Sequence, residues 1–200
     1  MTGVLSLDDV CLDGRTVLLR VDVNSPLNPE TMEFMDDRRF TEFLSTLEAL
    51  SSSKVVIISH QSRPGYLDFT STEPHSILLS SLIGRPVGFV SDVCGEDAIS
   101  AIKGMDDGDV LFLDNVRKHE EEISMKRASP EEMASSEIVR NLSAVIDAYV
   151  TDAFATAHRS SPSLTGFAGE VPCIAGRLMK KEINALRTAV FDPPRPYVVI

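Results

Sequence analysis

Five stretches of the chain are apolar at almost every position: residues 16–23, 54–59, 86–90, 109–114 and 145–151. Each is rich in β-branched side chains and lacks the polar alternation of a strand with one wet face. That pattern predicts strands buried on both faces, as in a parallel sheet covered by helices. The segments between them carry the helical period instead. Residues 36–50 place Phe40, Phe43, Leu44, Leu47 and Leu50 on one stripe, behind the N-terminal acids Asp36 and Asp37. Further helices are predicted over 74–83, 96–104 and 129–142, the last opened by Ser129 as cap, Pro130 and two glutamates. A final helix over 175–190 carries Leu178, Met179, Ile183 and Leu186 in a stripe, and the proline-rich segment 191–196 stops it. This alternation predicts an α/β fold, a three-layer α/β/α arrangement with a mainly parallel, Rossmann-like sheet of about six strands. Residues 197–200 read as the start of a strand with nothing left to pair with, so the expectation is a truncated chain.

Composition narrows the class. With 200 residues the chain suits one domain, or one domain and part of another. It is 43% hydrophobic and 24% charged, the balance of a soluble globular protein. No apolar run approaches the length of a membrane span, and the N-terminus lacks the basic-then-apolar order of a signal peptide, so the expected location is cytoplasmic. Cys11, Cys94 and Cys173 are odd in number and widely spaced, which points to free thiols in a reducing compartment and to no metal site. A net charge of −11 argues against nucleic acid or an anionic membrane as partner.

The cations are the informative minority. Arginines outnumber lysines 13 to 6, and several follow the apolar runs directly. Ligands in parallel α/β sheets bind beyond the carboxyl ends of the strands. Arg20, Asp22 and Asn24 close the first run, and His60 and Arg63 follow the second. Asp114, Asn115 and Arg117 close the fourth, and Asp152, Thr156, His158 and Arg159 the fifth, while Arg38 and Arg39 open the first helix. Each alone has an ordinary structural reading: an arginine as helix cap or surface ion pair, a histidine satisfied in the core, Asp22 and Asn24 as turn formers. Together they predict an anion site, since the planar guanidinium bonds oxyanions bidentately. His75 and His119 are read as structural and surface residues.

Five segments then resemble one family. Residues 16–27 contain Arg20, Asp22, Asn24 and Pro26 as R-x-D-x-N-x-P, residues 58–65 resemble S-H-x-G-R-P, and 113–117 resemble L-E-N-x-R. Residues 150–159 resemble V-N-D-A-F-x-x-A-H-R, and 175–182 resemble A-G-x-L-M-x-K-E. In this order they resemble the phosphoglycerate kinases, and the short loops resemble the archaeal branch. The resemblance implies residues 1–172 as a phosphoglycerate-binding N-terminal domain, 173–192 as an interdomain helix and 193–200 as the start of a nucleotide-binding domain. It implies substrate contacts from Asp22, Asn24, Arg39, His60, Arg63, Arg117 and Arg159, with Arg39 also the catalytic residue, and Arg20, Arg38 and His158 as a supporting basic patch. It implies glycolytic transfer between ATP and 3-phosphoglycerate by a monomer, with Mg2+ and ATP or ADP bound mainly by the other domain, and an inactive isolated chain. A non-enzymatic anion-binding module of the same fold is the alternative. The sequence departs from the family at Arg38, Ser62, Asp114 and Lys118, where Thr, Gly, Glu and Phe are usual; Arg38 and Ser62 lie nearest the ligand.

Overall fold

The computed structural model describes residues 4–198. Its centre is a six-stranded parallel sheet: β1 (Thr16–Arg20), β2 (Lys54–Ile58), β3 (Gly88–Val90), β4 (Val110–Leu113), β5 (Ala148–Thr151) and β6 (Cys173–Ala175). The spatial order is β3-β4-β2-β1-β5-β6. In register, Thr16 faces Lys54 of β2 and Val17 faces Ala148 of β5. Alternation along β1 sends Val17 and Leu19 to one face and Leu18 to the other. The first face packs on Phe40, Phe43 and Leu47 of α1 (Arg38–Ala49) and Leu79 of α2 (Glu73–Ile83). The second packs on Ala98 and Ile102 of α3 (Glu96–Lys103) and on Ile138, Val139 and Leu142 of α6 (Glu137–Ser143). Each such fully buried aliphatic side chain stabilises the fold by about 1.5–3 kcal/mol.

Short helices complete the second layer: α4 (Glu120–Ser124), α5 (Pro130–Ala134) and α7 (Pro162–Thr165). The predicted helix over 129–142 is therefore two. Ser136 interrupts it, because its hydroxyl accepts from the Val139 N–H and starts α6 afresh. The predicted helix over 175–190 begins later, as α8 (Arg177–Phe191), and the assignment of 173–175 to that helix is corrected. These three residues form β6, paired with β5 from Tyr149–Cys173 to Thr151–Ala175. Three residues at a sheet edge carry too little periodicity to be read as a strand. Tyr197 and Val198 adopt no regular structure, and the rest of the strand start read over 197–200 lies outside the described residues.

The join between sheet and last helix depends on a close approach. A Cβ on Gly176 would lie 2.2 Å from Asp152 Oδ1. Without it, the Asp152 carboxylate reaches past the backbone and accepts from the Met179 N–H at 2.9 Å, capping α8. All three cysteines are free; Cys94 is buried and its thiol is pushed up to about 12, first by burial and then by Glu137 and Asp92. Among the described residues no helix is long and apolar enough to cross a membrane.

Candidate functional site

The winding reverses at β1: β2, β4 and β3 are laid down on one side of it, and the chain then crosses from β4 to β5 and β6 on the other. A crevice forms at the carboxyl ends there. The ends of β4, β2, β1 and β5, four neighbouring strands, all open into one cavity of about 590 Å3. Its lining includes Arg20, Asn24, His60, Arg63, Arg117 and Arg159. Lys126 adds a cation that the motifs do not reveal, and among the described residues the only carboxylates lining the cavity are Asp68 and Glu122. Five cations against two carboxylates make an electropositive basin on a chain of net charge −11.

Buried polar groups tie the loops that carry these cations. Asn24 Oδ1 accepts from the Ser62 N–H at 2.7 Å, joining the β1 and β2 ends. Ser62 sits at φ 54°, the left-handed conformation that glycine adopts freely, so a serine keeps the glycine-type turn. Its hydroxyl donates to Asp68 at 2.6 Å. Asn115, wholly buried, donates from Nδ2 to the carbonyls of Gln61 and Thr70, both at 2.8 Å. Its Oδ1 accepts from the Arg117 N–H, which holds the start of that turn. Gln61 donates to the Ser25 carbonyl, and its Oε1 accepts from His75 at 3.1 Å. His75 is buried and pushed down to about 4, so it serves the core as a neutral ring.

Asp114 anchors the β4 end. Burial raises its carboxyl, but bonds from Lys118 Nζ, the Asn115 and Thr72 N–H groups and the Ser71 hydroxyl outweigh it and hold the group below its ordinary value. Lys118, at the position of a family Phe, thus partners the Asp at the position of a family Glu.

Inside the basin the cations repel one another. Arg117 is half-buried, and burial first, then the neighbouring Arg159 guanidinium, lowers it from its ordinary value. It donates to the Ser62 carbonyl. Arg63 lies over the Tyr66 ring at 4.2 Å from its centroid, a cation–π contact. His60 is buried, and burial followed by Arg20, Arg117, Arg159 and Arg39 pushes it down to about 2. It is therefore a neutral ring among arginines.

Asp22 and Arg39 line a neighbouring cavity of about 190 Å3, with Glu42, Asp152 and Glu182. Arg39 Nη1 pairs with Asp22 Oδ2 at 2.9 Å. The two cavities share the loops after β1 and β5: Asn24 and Arg159 face the larger, Asp22 and Asp152 the smaller. Asp152 is buried, its Oδ2 has no partner among the described residues, and burial raises its carboxyl. Arg38 and His158 line neither cavity. Arg38 is largely exposed and pairs with Asp36, and His158 is exposed.

Sequence reasoning missed Glu122, the last of three consecutive glutamates. It is buried and accepts from Ser161 Oγ, Ser163 Oγ and the Ser163 N–H. Its partners lie about forty residues onward, a separation at which no local signal exists. Among the described residues no three His, Cys, Asp or Glu side chains gather as metal ligands.

Comparison with known proteins shows what the chain is similar to. A family model described as phosphoglycerate kinase matches residues 7–200. The chain is 44% identical over 197 residues to a phosphoglycerate kinase of Methanothermobacter thermautotrophicus, covering 98% of this chain and 47% of that one. The phosphoglycerate kinase crystal structure from Pyrococcus horikoshii superposes with a TM-score of 0.91 at 42% identity, covering 96% of this chain and 47% of that one. The structure of the Coxiella burnetii phosphoglycerate kinase gives 0.75 at 28% identity, covering 97% and 47%. The chain thus spans about half the length of the curated relatives it matches.

Proposed function

This chain belongs to the phosphoglycerate kinase family, and on that premise we propose that it supplies the 3-phosphoglycerate site of a kinase that moves a phosphoryl group reversibly between ATP and the substrate carboxylate. The observation that carries the reading is the convergence of Arg63, Arg117, Arg159 and His60 on one cavity of an acidic chain. Arg117 and Arg159 grip the phosphate, and His60 and Arg63 hold the body of the acid. Asn24 and Asp22 take its hydroxyl and carboxylate side. Arg39 steadies the transferring phosphoryl group, which requires it to leave its ion pair with Asp22.

The acceptor carboxylate is ionised near neutral pH, so no general base is needed. Rate enhancement comes from positioning and charge neutralisation. Mg2+ and ATP or ADP are held mainly by the other domain, as the family resemblance implies. They are assigned to the half of the relatives that this chain does not span, and the sheet with its covering helices is read as the substrate domain and α8 (Arg177–Phe191) as the interdomain helix. The protein acts in the cytoplasm as a monomer, in glycolysis or its reverse.

Calorimetric titration at low salt, paired with a turnover assay, tests this. The 200 residues alone should give heat with 3-phosphoglycerate and no phosphoryl transfer from ATP. No heat would remove the substrate assignment, and turnover by this chain alone would remove the division of labour.

A further inference from the structure

We propose that Arg20 is a positioning residue that locks His60 in the tautomer bearing hydrogen on Nε2, so that the ring presents a neutral donor to an oxygen of the bound anion. The ligand half of this statement rests on the basin being an oxyanion site; the tautomer half does not.

Arg20 is buried at the end of β1, and its guanidinium can only donate. Its Nη2 lies 3.3 Å from His60 Nδ1. A hydrogen on Nδ1 would set two donors face to face, so Nδ1 must offer its lone pair. The neutral ring then carries its hydrogen on Nε2. That atom is buried and has no partner among the described residues, although His60 lines the basin. An unpaired buried donor is unfavourable, and an arriving oxygen acceptor relieves it.

The orientation is enforced from behind. Arg20 Nε donates to Ser163 Oγ at 3.2 Å. The Ser163 hydroxyl must then turn its own hydrogen elsewhere, and it donates to Glu122 Oε1 at 2.6 Å. Glu122 is thus linked to the buried guanidinium through the Ser163 hydroxyl. Every bond from Glu122 to His60 therefore has one allowed direction. Double protonation of the ring is opposed by burial and by the cations that face it: Arg20, Arg117, Arg159 and Arg39. The basin thus meets its ligand with guanidinium and imidazole donors, and it selects against a ligand that places an N–H or O–H opposite Nε2.

The test is the side-chain 15N–1H correlation spectrum of the histidines in the whole chain without ligand. The expected result at neutral pH is a protonated Nε2 and a bare Nδ1 for His60, persisting to about pH 4, well below the ordinary histidine range. A protonated Nδ1, or an imidazolium at neutral pH, overturns the proposal. Arg20→Gln presents an amide that both donates and accepts, and should give mixed tautomers and, with about half the rings lacking the Nε2 hydrogen, about twofold weaker 3-phosphoglycerate binding. Arg20→Lys, a donor only, should keep the Nε2–H form. Retention of a pure Nε2–H form in folded Arg20→Gln removes Arg20 as the cause; if that variant does not fold, the Arg20→Lys and wild-type spectra decide. Adding 3-phosphoglycerate separates the two readings: an unmoved His60 signal in the Nε2–H form overturns the ligand half and the proposed function while leaving the tautomer intact.

Discussion

The two ends of the same parallel strands handle charge in opposite ways. At the amino ends, Asp147 accepts from the Thr16 N–H at 2.8 Å and pairs with Arg15 at 3.6 Å, while Asp109 accepts from the Asp106 N–H at 2.8 Å. Asp147 is thus met by a donor and a cation from the start of β1, and Asp109 by a backbone donor of its own turn. At the carboxyl ends, Arg63, Arg117 and Arg159 share one cavity without a carboxylate ion pair of their own among the described residues. Like charges held together are a cost to the fold unless an anion arrives. The difference teaches that one end is built for stability and the other is left unneutralised for a ligand.

Breaking the carboxyl end should have the largest effect. Replacing both Arg117 and Arg159 with Ala removes two contacts of about 1.5–3 kcal/mol each, so calorimetry should show 3-phosphoglycerate affinity falling at least about a hundredfold. Asp114→Ala should cost about 3 kcal/mol in urea unfolding, because several buried donors lose one acceptor. Its pH dependence has a definite sign. The folded-state value lies below the ordinary value of 3.8, so the stabilisation is present above 3.8 and is lost as pH falls through the folded value. Asp152 runs the other way. Its folded-state value lies above 3.8, so the wild type loses stability as pH rises from 3.8 through that value, and Asp152→Asn should flatten this segment of the profile. The smallest effect belongs to the amino end. Asp147→Ala removes an exposed pair and one backbone acceptor, should cost about 1 kcal/mol or less, and should leave ligand affinity unchanged.

Much of the fold was legible because strands buried on both faces are written as continuous apolar runs. Val17 to Leu19 and Val55 to Ile57 carry that signal in every position. β6 was not, since Cys173–Ala175 lies beside glycine and merges with the stripe of α8. The basin was legible in its arginines, which stand directly after strands. The supports were not. Glu122 sits in a run of glutamates that looks solvated, and Asn115 and Gln61 act through backbone carbonyls on other loops. Arg38 and Arg39 are adjacent in sequence and helix geometry separates them: Arg39 turns to Asp22, and Arg38 turns outward to Asp36.

The central claim is that cations from four strands hold one anion, and the arginine Nε–H resonances report it directly. On titration with 3-phosphoglycerate, the signals of Arg63, Arg117 and Arg159 should move along a single saturation curve while Arg15 and Arg38 stay fixed. Separate midpoints for the three, or a response from only one of them, would contradict the account.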